Sequence, residues 1–425
     1  MINFEEEELK KIIHEIARNN GLNENTKIIF SKGSEKGDGY LGEIVNIRAI
    51  DDVTEKSLDF VAKIGLKDEN MRSIYPYSEV FRNEILAYEE IIKSLRNLQK
   101  EANLLSIFNP SPIFYFASSV LNEEYLILEN IKISNFEMLG IKQLLDDEHT
   151  RMICETYGKF HGLSLAMKTL HKQKFFELAA KLSDVYSLKT IEKDIKFFFG
   201  KMWISIRNVM KEKDVKWQRY NNYADNSLDI MDDMCDLKDE KYFCFLHGDC
   251  WTNNLMFRYK NNNMGQKHLE EIKLIDWQAC RIGPPVCDLS YMLYSGASKE
   301  VLSNLEIYLK IYHNSLSSVL SQLKLDVNIV YPFEEMKRQW RKYYHYAVIL
   351  SGSIWKFRSF GENQGVDPLN YKSQDGSSYI DAIADADCDT DYFCEHIKYL
   401  FDHLDEIANG NILGPANTHE TSKTK

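Results

Sequence analysis

Several features are missing from this sequence, and each absence narrows the class of protein. The eight cysteines are scattered and form no C-x-x-C pair, which favours reduced thiols over a disulfide framework. No apolar run approaches the roughly 18 residues that a membrane-spanning helix needs. The segment from Met1 to Lys11 is acidic and helix-like, and it lacks the basic and apolar regions of a signal peptide. We therefore expect a cytoplasmic protein with no membrane span.

Basic residues are also fewer than acidic residues. The chain has 52 lysines and arginines against 64 aspartates and glutamates, which gives a formal net charge of −12. Binding to nucleic acid or to an anionic membrane surface relies on basic residues, so neither is an expected partner. With 425 residues, 44% of them hydrophobic, the chain is long enough for two lobes, each with a core. Composition leaves the oligomeric state open.

The most informative motif begins at His247. The run His247-Gly248-Asp249-Cys250-Trp251-Thr252-Asn253-Asn254 has the form H-x-D-x-x-x-x-N, and a short apolar strand then ends at Asp276. Phosphoryl transfer needs a carboxylate to take the acceptor's proton and oxygen ligands to hold magnesium. Asp249 is the candidate base, while Asn254 and Asp276 are the candidate metal ligands. The competing interpretation is that Asp249 and Asn254 only cap backbone amides at a helix start.

A glycine-rich segment lies in the front half of the chain. Gly37, Gly39 and Gly42 form a G-x-G-x-x-G pattern, and glycines allow backbone N–H groups to come close to phosphates. A dinucleotide-binding loop of this form should open a helix, but the residues after Gly42 alternate like a strand. The pattern therefore favours a kinase-type phosphate loop over a Rossmann turn.

A lysine and a glutamate follow the glycines in the order that a kinase requires. Lys63 ends an apolar strand, where its ammonium group could reach the α- and β-phosphates of a nucleotide, and Glu84 on the next helix could pair with it. Taken singly, Lys63 could be a solvated strand lysine and Glu84 an exposed helix carboxylate. The succession of loop, strand, helix and H-x-D motif favours the functional interpretation.

Hydrophobic periodicity divides the chain into a strand-rich front and a helix-rich back. Strands are predicted at 27–30, 43–50, 58–64, 113–117 and 125–129, with a helix at 78–100, and helices from about 141 to 408 surround a hairpin at 255–257 and 272–275. The predicted fold is α+β and bilobal, with an antiparallel N-lobe sheet, one main N-lobe helix, a larger helical C-lobe and a cleft between the lobes. We place the N-lobe at 1–130, the C-lobe at 131–414 and a disordered tail at 415–425.

This order matches a protein-kinase-like fold. More narrowly, the chain resembles the ecdysteroid kinase-like family, also called the CHK kinase-like family. The Asp276-Trp277-Gln278 triplet separates it from ordinary protein kinases, which have D-F-G there. The other segments that carry the resemblance are Leu126-Ile127-Leu128-Glu129-Asn130-Ile131, Lys159-Phe160-His161-Gly162-Leu163-Ser164, the H-x-D run, and Gly283-Pro284-Pro285-Val286-Cys287-Asp288-Leu289.

The resemblance implies an ATP- and Mg²⁺-dependent phosphotransferase acting on a hydroxyl group of a small molecule. Ecdysteroids are the substrate class that gives the family its name, and choline and aminoglycosides are substrates of more distant relatives. It implies that Asp249 is the base, that Asn254 and Asp276 hold magnesium, and that Lys63 and Glu84 orient the phosphates. It assigns Glu129, Asn130 and Ile131 to the hinge that faces adenine. Asn130 departs from the family, which commonly has aspartate there, and the loop has more glycines than usual.

The acceptor site is the part that the sequence defines least. The helical segments 165–240 and 340–380 are rich in aromatic residues that could line an apolar acceptor pocket, surround a quaternary ammonium, or simply form core. A choline-, ethanolamine- or aminoglycoside-type kinase therefore remains an alternative to an ecdysteroid-like or other lipid-like alcohol as substrate. A nucleotide-binding pseudokinase is the non-enzymatic alternative. Asp288 is expected to tether the catalytic loop.

Overall fold

A computed structural model describes most of the chain. The described residues are 6–33, 42–67, 69, 72, 76–183, 185–186, 194–238, 240–261, 265, 267–360 and 390–414. Two of the predicted loop glycines, Gly37 and Gly39, and the predicted tail 415–425 lie outside these ranges. Within them, no helix combines the length and the apolar character needed to cross a membrane.

The front half is built on one five-stranded antiparallel sheet. Its residues alternate, so that one face of the central strands is buried; Val45, Ile47 and Ala49 are examples. An amphipathic N-terminal helix covers this face with Leu9 and Ile13. The strand order is β1-β2-β3-β5-β4. The elements are α1 Glu6–Asn19, β1 Lys27–Lys32, β2 Glu43–Ile50, β3 Ser57–Ile64, β4 Phe114–Ser118 and β5 Tyr125–Glu129.

One long helical stretch accompanies this sheet. It consists of α2 (Tyr77–Leu86), a π-helical turn (Ala87–Ile92) and α3 (Lys93–Glu101). Val80, Phe81 and Glu84 of α2 are all buried. The predicted strands and the predicted helix of the front half are all present, within a residue or two of their expected ends.

The back half is mainly helical and contains two small sheets, in which β7 pairs with β10 and β8 pairs with β6 and β9. The helices are α4 Asp147–Leu170, α5 Lys172–Ala179, α6 Asp194–Lys213, α7 Asn221–Cys235, α8 Val286–Gly296, α9 Lys299–Ser303, α10 Leu305–Gln322, α11 Val327–Val330, α12 Phe333–Arg358 and α13 Thr390–Ala408. The strands are β6 Phe136–Glu137, β7 Cys244–Leu246, β8 Leu255–Asn261, β9 Lys267–Leu274 and β10 Arg281–Gly283. Short 3₁₀ turns lie at Ile131–Ser134, Trp217–Tyr220, Thr252–Asn254 and Trp277–Ala279. The α+β organisation predicted from periodicity is confirmed.

Three tryptophans of the aromatic-rich segments belong to the core of the helical half. Trp203, Trp340 and Trp355 are each at most 1% exposed, and each indole N–H is bonded to an oxygen of a neighbouring helix. A buried indole needs such a partner because its N–H would otherwise lose its bond to water. These three residues therefore stabilise the packing of the helices.

Candidate active site

The H-x-D loop is held in place by one buried carboxylate. Asp288, near the start of α8, accepts hydrogen bonds from the backbone N–H groups of His247 at 2.7 Å and Gly248 at 3.0 Å, and His161 Nε2 lies 3.2 Å away. Burial alone would raise the pKa of Asp288, but the interactions with His161 and His247 hold it below its ordinary value. The predicted tether is therefore present, and it fixes the backbone of the two residues that precede Asp249.

Gly248 explains how the loop comes so close to the second motif. Its φ is +85°, and a Cβ atom placed there would lie 2.0 Å from the carbonyl oxygen of Ala279. Only glycine combines this backbone conformation with so close an approach. The H-x-D loop and the 3₁₀ turn after Asp276 thus pack backbone against backbone.

Asp249, the predicted base, makes hydrogen bonds with side chains. Its Oδ1 accepts a bond from the Tyr291 hydroxyl at 3.2 Å, and its Oδ2 accepts bonds from Asn254 Nδ2 at 3.0 Å and Gln278 Nε2 at 3.5 Å. Burial and the charge of Asp276 raise the pKa of Asp249 to about 6, while these three bonds act to lower it. These contacts do not support the competing interpretation, in which the carboxylate would cap a backbone amide.

Asn254 and Asp276, the predicted metal ligands, are linked through the backbone. The Ile275 N–H donates to the Asn254 carbonyl at 3.0 Å, so the residue before Asp276 is bonded to Asn254. Asn254 Nδ2 donates to both the backbone and the side chain of Asp249, which leaves its amide oxygen as the available ligand atom. Asp276 has the left-handed conformation, with φ 63° and ψ 65°, and its side chain is 29% exposed.

Lys63 lies between two carboxylates. Its Nζ is 2.7 Å from Glu84 Oε2 and 2.6 Å from Asp276 Oδ1. Burial acts to lower the pKa of Lys63, but the two carboxylates outweigh it and raise the pKa above its ordinary value. Burial, with a smaller contribution from the charge of Asp276, raises the pKa of Glu84 to about 7, although the charge of Lys63 acts to lower it. The predicted ion pair is present, and Glu84, at 2% exposure, is not a surface residue.

Gln278 is a residue of this cluster that the sequence argument did not identify. Its Oε1 lies 3.5 Å from Lys63 Nζ and its Nε2 lies 3.5 Å from Asp249 Oδ2, so one amide touches both groups. Tyr291, which bonds Asp249 from α8, was missed as well. The D-W-Q triplet was a signal for Gln278, whereas nothing in the sequence distinguishes Tyr291 from other helix tyrosines.

The remaining loop glycine and the first two hinge residues have structural contacts. A Cβ atom on Gly42 would lie 2.9 Å from the Ile64 carbonyl and 3.3 Å from Lys63 Cγ, so Gly42 itself packs closely against this end of β3. The Glu129 carboxylate accepts a bond from the Ile113 N–H at 3.1 Å. The Asn130 side chain caps the 3₁₀ turn after it by accepting from the Lys132 N–H at 3.2 Å. The side chains of Glu129 and Asn130 thus each accept a hydrogen bond from a backbone N–H group of the protein.

The hinge leads into a small apolar cluster. Ile131, Phe136 and Met256 are buried together, and Ile275 packs against them. Met256 follows the H-x-D loop and Ile275 precedes Asp276, so this apolar surface is adjacent to the polar cluster. An aromatic base would find apolar contacts here and backbone hydrogen-bonding groups at the hinge.

The donor set fits magnesium better than a metal that prefers nitrogen or sulfur. In the ranges that the structure describes, no group of three or more His, Cys, Asp or Glu side chains could hold a metal ion. Magnesium does not need such a group, because it commonly takes one or two protein oxygens and completes its shell with water and phosphate. The carboxylate of Asp276 and the amide oxygen of Asn254 are ligands of this kind.

Comparison with known proteins places the chain in a family. The profile of the ecdysteroid kinase-like family matches residues 36–325, so the chain belongs to that family. Family membership makes it a kinase-like protein of the small-molecule phosphotransferase type, with the protein-kinase-like fold. A solved structure, the GDP complex of an aminoglycoside 2′-phosphotransferase-IIIa mutant, is similar with a TM-score of 0.39 and 12% identity, over 94% of this chain and 99% of that chain. No curated protein matches the chain significantly.

Proposed function

We propose that this protein is an ATP- and Mg²⁺-dependent phosphotransferase that phosphorylates a hydroxyl group of a small molecule. The observation that carries the proposal is a single connected cluster built from four separate segments. Lys63 comes from β3, Glu84 from α2, Asp249 from the H-x-D loop and Asp276 from the end of a hairpin, and Gln278 joins them. Taking charged groups even partly out of water costs stability, so the assembly of this cluster is better explained by function than by packing.

Each residue has a role that its contacts support. Asp249 would take the proton of the acceptor hydroxyl, and the three side chains bonded to it fix the orientation of its carboxylate. Lys63, held by Glu84, would orient the phosphates of the nucleotide. Asn254 and Asp276 would hold magnesium, which when bound offsets the negative charge of the phosphates. The hinge backbone and the apolar cluster at Ile131 would accept adenine.

This arrangement weighs against a pseudokinase. A scaffold protein that bound nucleotide without turnover would have no need of a proton acceptor beside the phosphates. Asp249 is nevertheless partly buried and bonded by three side chains, and its raised pKa of about 6 still leaves it largely ionised near neutral pH. That is the state in which a carboxylate can accept a proton.

A cavity between the end of α7 and helix α12 is the proposed acceptor site. Its volume is about 330 Å³, near the lower end of the range for ligand pockets. Tyr346, one of its lining residues, packs edge-on against Tyr186, whose hydroxyl donates to the carbonyl of Gly248. Through these two side chains, one wall of the cavity is linked to the residue before Asp249. It is lined by Ile230, Asp233, Asp236, Lys342, Tyr343, His345 and Tyr346.

The lining supports two acceptor classes. The rings of Tyr343 and Tyr346 offer apolar surface to an ecdysteroid-like or other lipid-like alcohol, which we propose first because of the family. Asp233 and Asp236 against the single Lys342 give the cavity an excess of negative charge, which favours an amine-bearing alcohol as the second candidate. Burial lowers the pKa of His345 to about 4, so its imidazole does not offset that charge near neutral pH.

A turnover assay with Mg-ATP against hydroxylated steroids, choline, ethanolamine and aminoglycosides tests the proposal. We expect turnover of at least one acceptor, and a loss of at least about a hundredfold in kcat for Asp249→Asn with the fold retained. Asp52→Asn, at an exposed position, is the matched control and should keep its rate. Asp233→Asn separates the acceptor classes, because it should raise KM only for an amine-bearing alcohol. An Asp249→Asn variant that keeps the wild-type rate would overturn the assignment.

A further inference from the structure

We infer that Asn83 is a positioning residue that fixes helix α2, and with it Glu84, to a short strap leading to the catalytic loop. The strap consists of Ser183, Val185 and Tyr186, which follow α5 in the helical half. The contacts stand on their own, while the consequence for turnover rests on the proposed function.

The contact at the α2 end of the strap uses both polar atoms of one amide. Asn83 Nδ2 donates to the Ser183 carbonyl at 2.6 Å, and Asn83 Oδ1 accepts from the Ser183 N–H at 2.9 Å. Nδ2 also lies 3.4 Å from the carbonyl oxygen of Gln278. Asn83 is 1% exposed, so these bonds replace lost contacts with water and are costly to break. The side-chain amide of Asn83 thus forms two hydrogen bonds with the backbone of Ser183, as a residue on a neighbouring β-strand would.

The other end of the strap contacts the catalytic loop. The Tyr186 hydroxyl donates to the carbonyl of Gly248 at 3.2 Å, one residue before Asp249. The Tyr186 ring packs against Tyr346, and the guanidinium of Arg281 lies 5.7 Å from the ring centroid, within cation–π range. Val185, between the two contact points, is 5% exposed. The strap is therefore anchored at Ser183 and at Tyr186, and Val185 between them is buried.

Glu84 directly follows Asn83 in α2, so the contact that holds Asn83 against Ser183 also holds Glu84 in place. Glu84 lies 2.7 Å from Lys63 and also accepts a hydrogen bond from the backbone of Trp277. A shift of α2 by a fraction of a helical turn would carry the Glu84 carboxylate away from the Lys63 ammonium group and so separate the ion pair. Asn83 blocks that shift by bonding α2 to Ser183 and to Gln278. Asn83, whose side chain would lie away from the phosphates, would in this way set the position of Glu84, which would lie near them.

Two substitutions of Asn83 and one matched control test the inference. Asn83→Ala removes all three contacts, whereas Asn83→Asp keeps an acceptor for the Ser183 N–H but places a carboxylate against two carbonyl oxygens. Asn97→Ala, at an exposed position on the neighbouring α3, is the control for loss of an asparagine from this helical stretch. Tyr186→Phe removes only the hydroxyl at the far end of the strap.

The first readout is hydrogen–deuterium exchange without nucleotide, which does not depend on catalysis. We expect peptides covering α2 and the strap to exchange about tenfold or more faster in Asn83→Ala and Asn83→Asp, as the loss of buried hydrogen bonds predicts. Peptides of α10, distant in sequence from both segments, should be unchanged, and Asn97→Ala should match the wild-type protein throughout. A uniform increase across the protein, or no increase in α2, would overturn the positioning role.

The second readout is steady-state kinetics on the acceptor that the wild-type protein turns over. We expect the Asn83 variants to lose about tenfold in kcat with the acceptor KM changed by less than a few-fold. If the Asn83 variants fail to fold, Tyr186→Phe decides, because faster exchange confined to the strap and the 247–251 loop supports the strap and unchanged exchange overturns it. A wild-type protein without turnover would refute the proposed function, while the exchange result would still decide the role of Asn83.

Discussion

The Lys63 ammonium group and the Asp276 carboxylate lie 2.6 Å apart, although 212 residues separate them in the chain. The contact joins the end of β3 in the front sheet to the residue that follows a hairpin of the helical half. Glu84 shares the same ammonium, so three charged groups from three segments depend on one another. Removing any one of them should therefore affect both the stability of the fold and the proposed chemistry.

Lys63→Met should show both effects. The substitution leaves Glu84 buried without its partner, which costs on the order of 3 kcal/mol when the remaining charge stays ionised and less where it can take up a proton. In the proposed mechanism it also removes the cation that orients the phosphates, so kcat/KM should fall by about 10² to 10³. Urea unfolding and a turnover assay measure the two effects. Lys27→Met, on the exposed side of β1, should change neither, and a fully active Lys63→Met would remove this lysine from the site.

Asp276→Asn tests the proposed metal ligand by a readout other than turnover. In the wild-type protein, Mg-ATP should raise the melting temperature by mass action, because a ligand that binds only the folded state stabilises it. The variant should lose most of that increase, since an amide is a weaker ligand for Mg²⁺ than a carboxylate. ATP with EDTA is the control for binding without metal. An unchanged increase in Asp276→Asn would mean that the metal is held by other groups.

Gly248→Ala should destabilise the protein through its backbone. The new Cβ atom would overlap the Ala279 carbonyl, and a non-glycine residue at φ +85° is strained as well. Gly21→Ala is a matched control, because Gly21 has a φ of +88° but no atom within 4 Å of the added Cβ. We expect about 1 kcal/mol for the control and at least about 2 kcal/mol more for Gly248→Ala in urea unfolding. Equal losses would mean that the loop moves to make room.

His403 should make the protein less stable in mild acid. Burial lowers its pKa from 6.5 to about 4, and neither ring nitrogen has a hydrogen-bond partner in the part of the chain that the structure describes. The unfolded chain therefore binds this proton more readily, so stability is full above about pH 6.5 and falls as the pH drops toward 4. His403→Leu should reduce the stability difference between about pH 7.5 and about pH 5 by on the order of 1 to 2 kcal/mol.

The control for this experiment is His14→Leu on the exposed face of α1, which should leave the pH dependence unchanged. Urea unfolding at the two pH values measures the difference for each variant. A His403→Leu protein with the same pH dependence as the wild type would mean that the imidazole already takes up a proton in the folded state.

The hydrophobic pattern predicted the helices and strands well because each is determined mainly by residues close together in the sequence. The alternation in β2 and β3 puts apolar residues on one face, and the helical spacing of Val80, Phe81 and Ile85 commits that segment to α2. The order of these elements, with the H-x-D and D-W-Q motifs after them, was enough to indicate the family that the profile match identifies. The predicted pairing of Lys63 with Glu84 followed from that order and is present.

What the sequence left open depends on residues far apart along the chain. Tyr291 contacts Asp249 only because Asp288 ties the start of α8 to the H-x-D loop, and Asn83 bonds Ser183, which lies 100 positions further along the chain. The surroundings of the aromatic residues could not be predicted for the same reason, since Trp340 and Tyr343 are both buried on one helix and yet Tyr343 also lines the cavity. Side-chain type gives no information about which neighbour a helix face meets.

By itself, then, the sequence determined which chemical groups are present and the order in which the chain presents them. Hydrophobic periodicity and motif spacing involve residues close together in the chain, so they can be recognised from the sequence alone. The tertiary structure decided that Lys63 is shared by two carboxylates, that Gln278 touches both Lys63 and Asp249, and that Asn83 bonds a remote backbone. Such contacts arise only when helices and strands pack, because the distances that set a pKa or a hydrogen bond are distances in space.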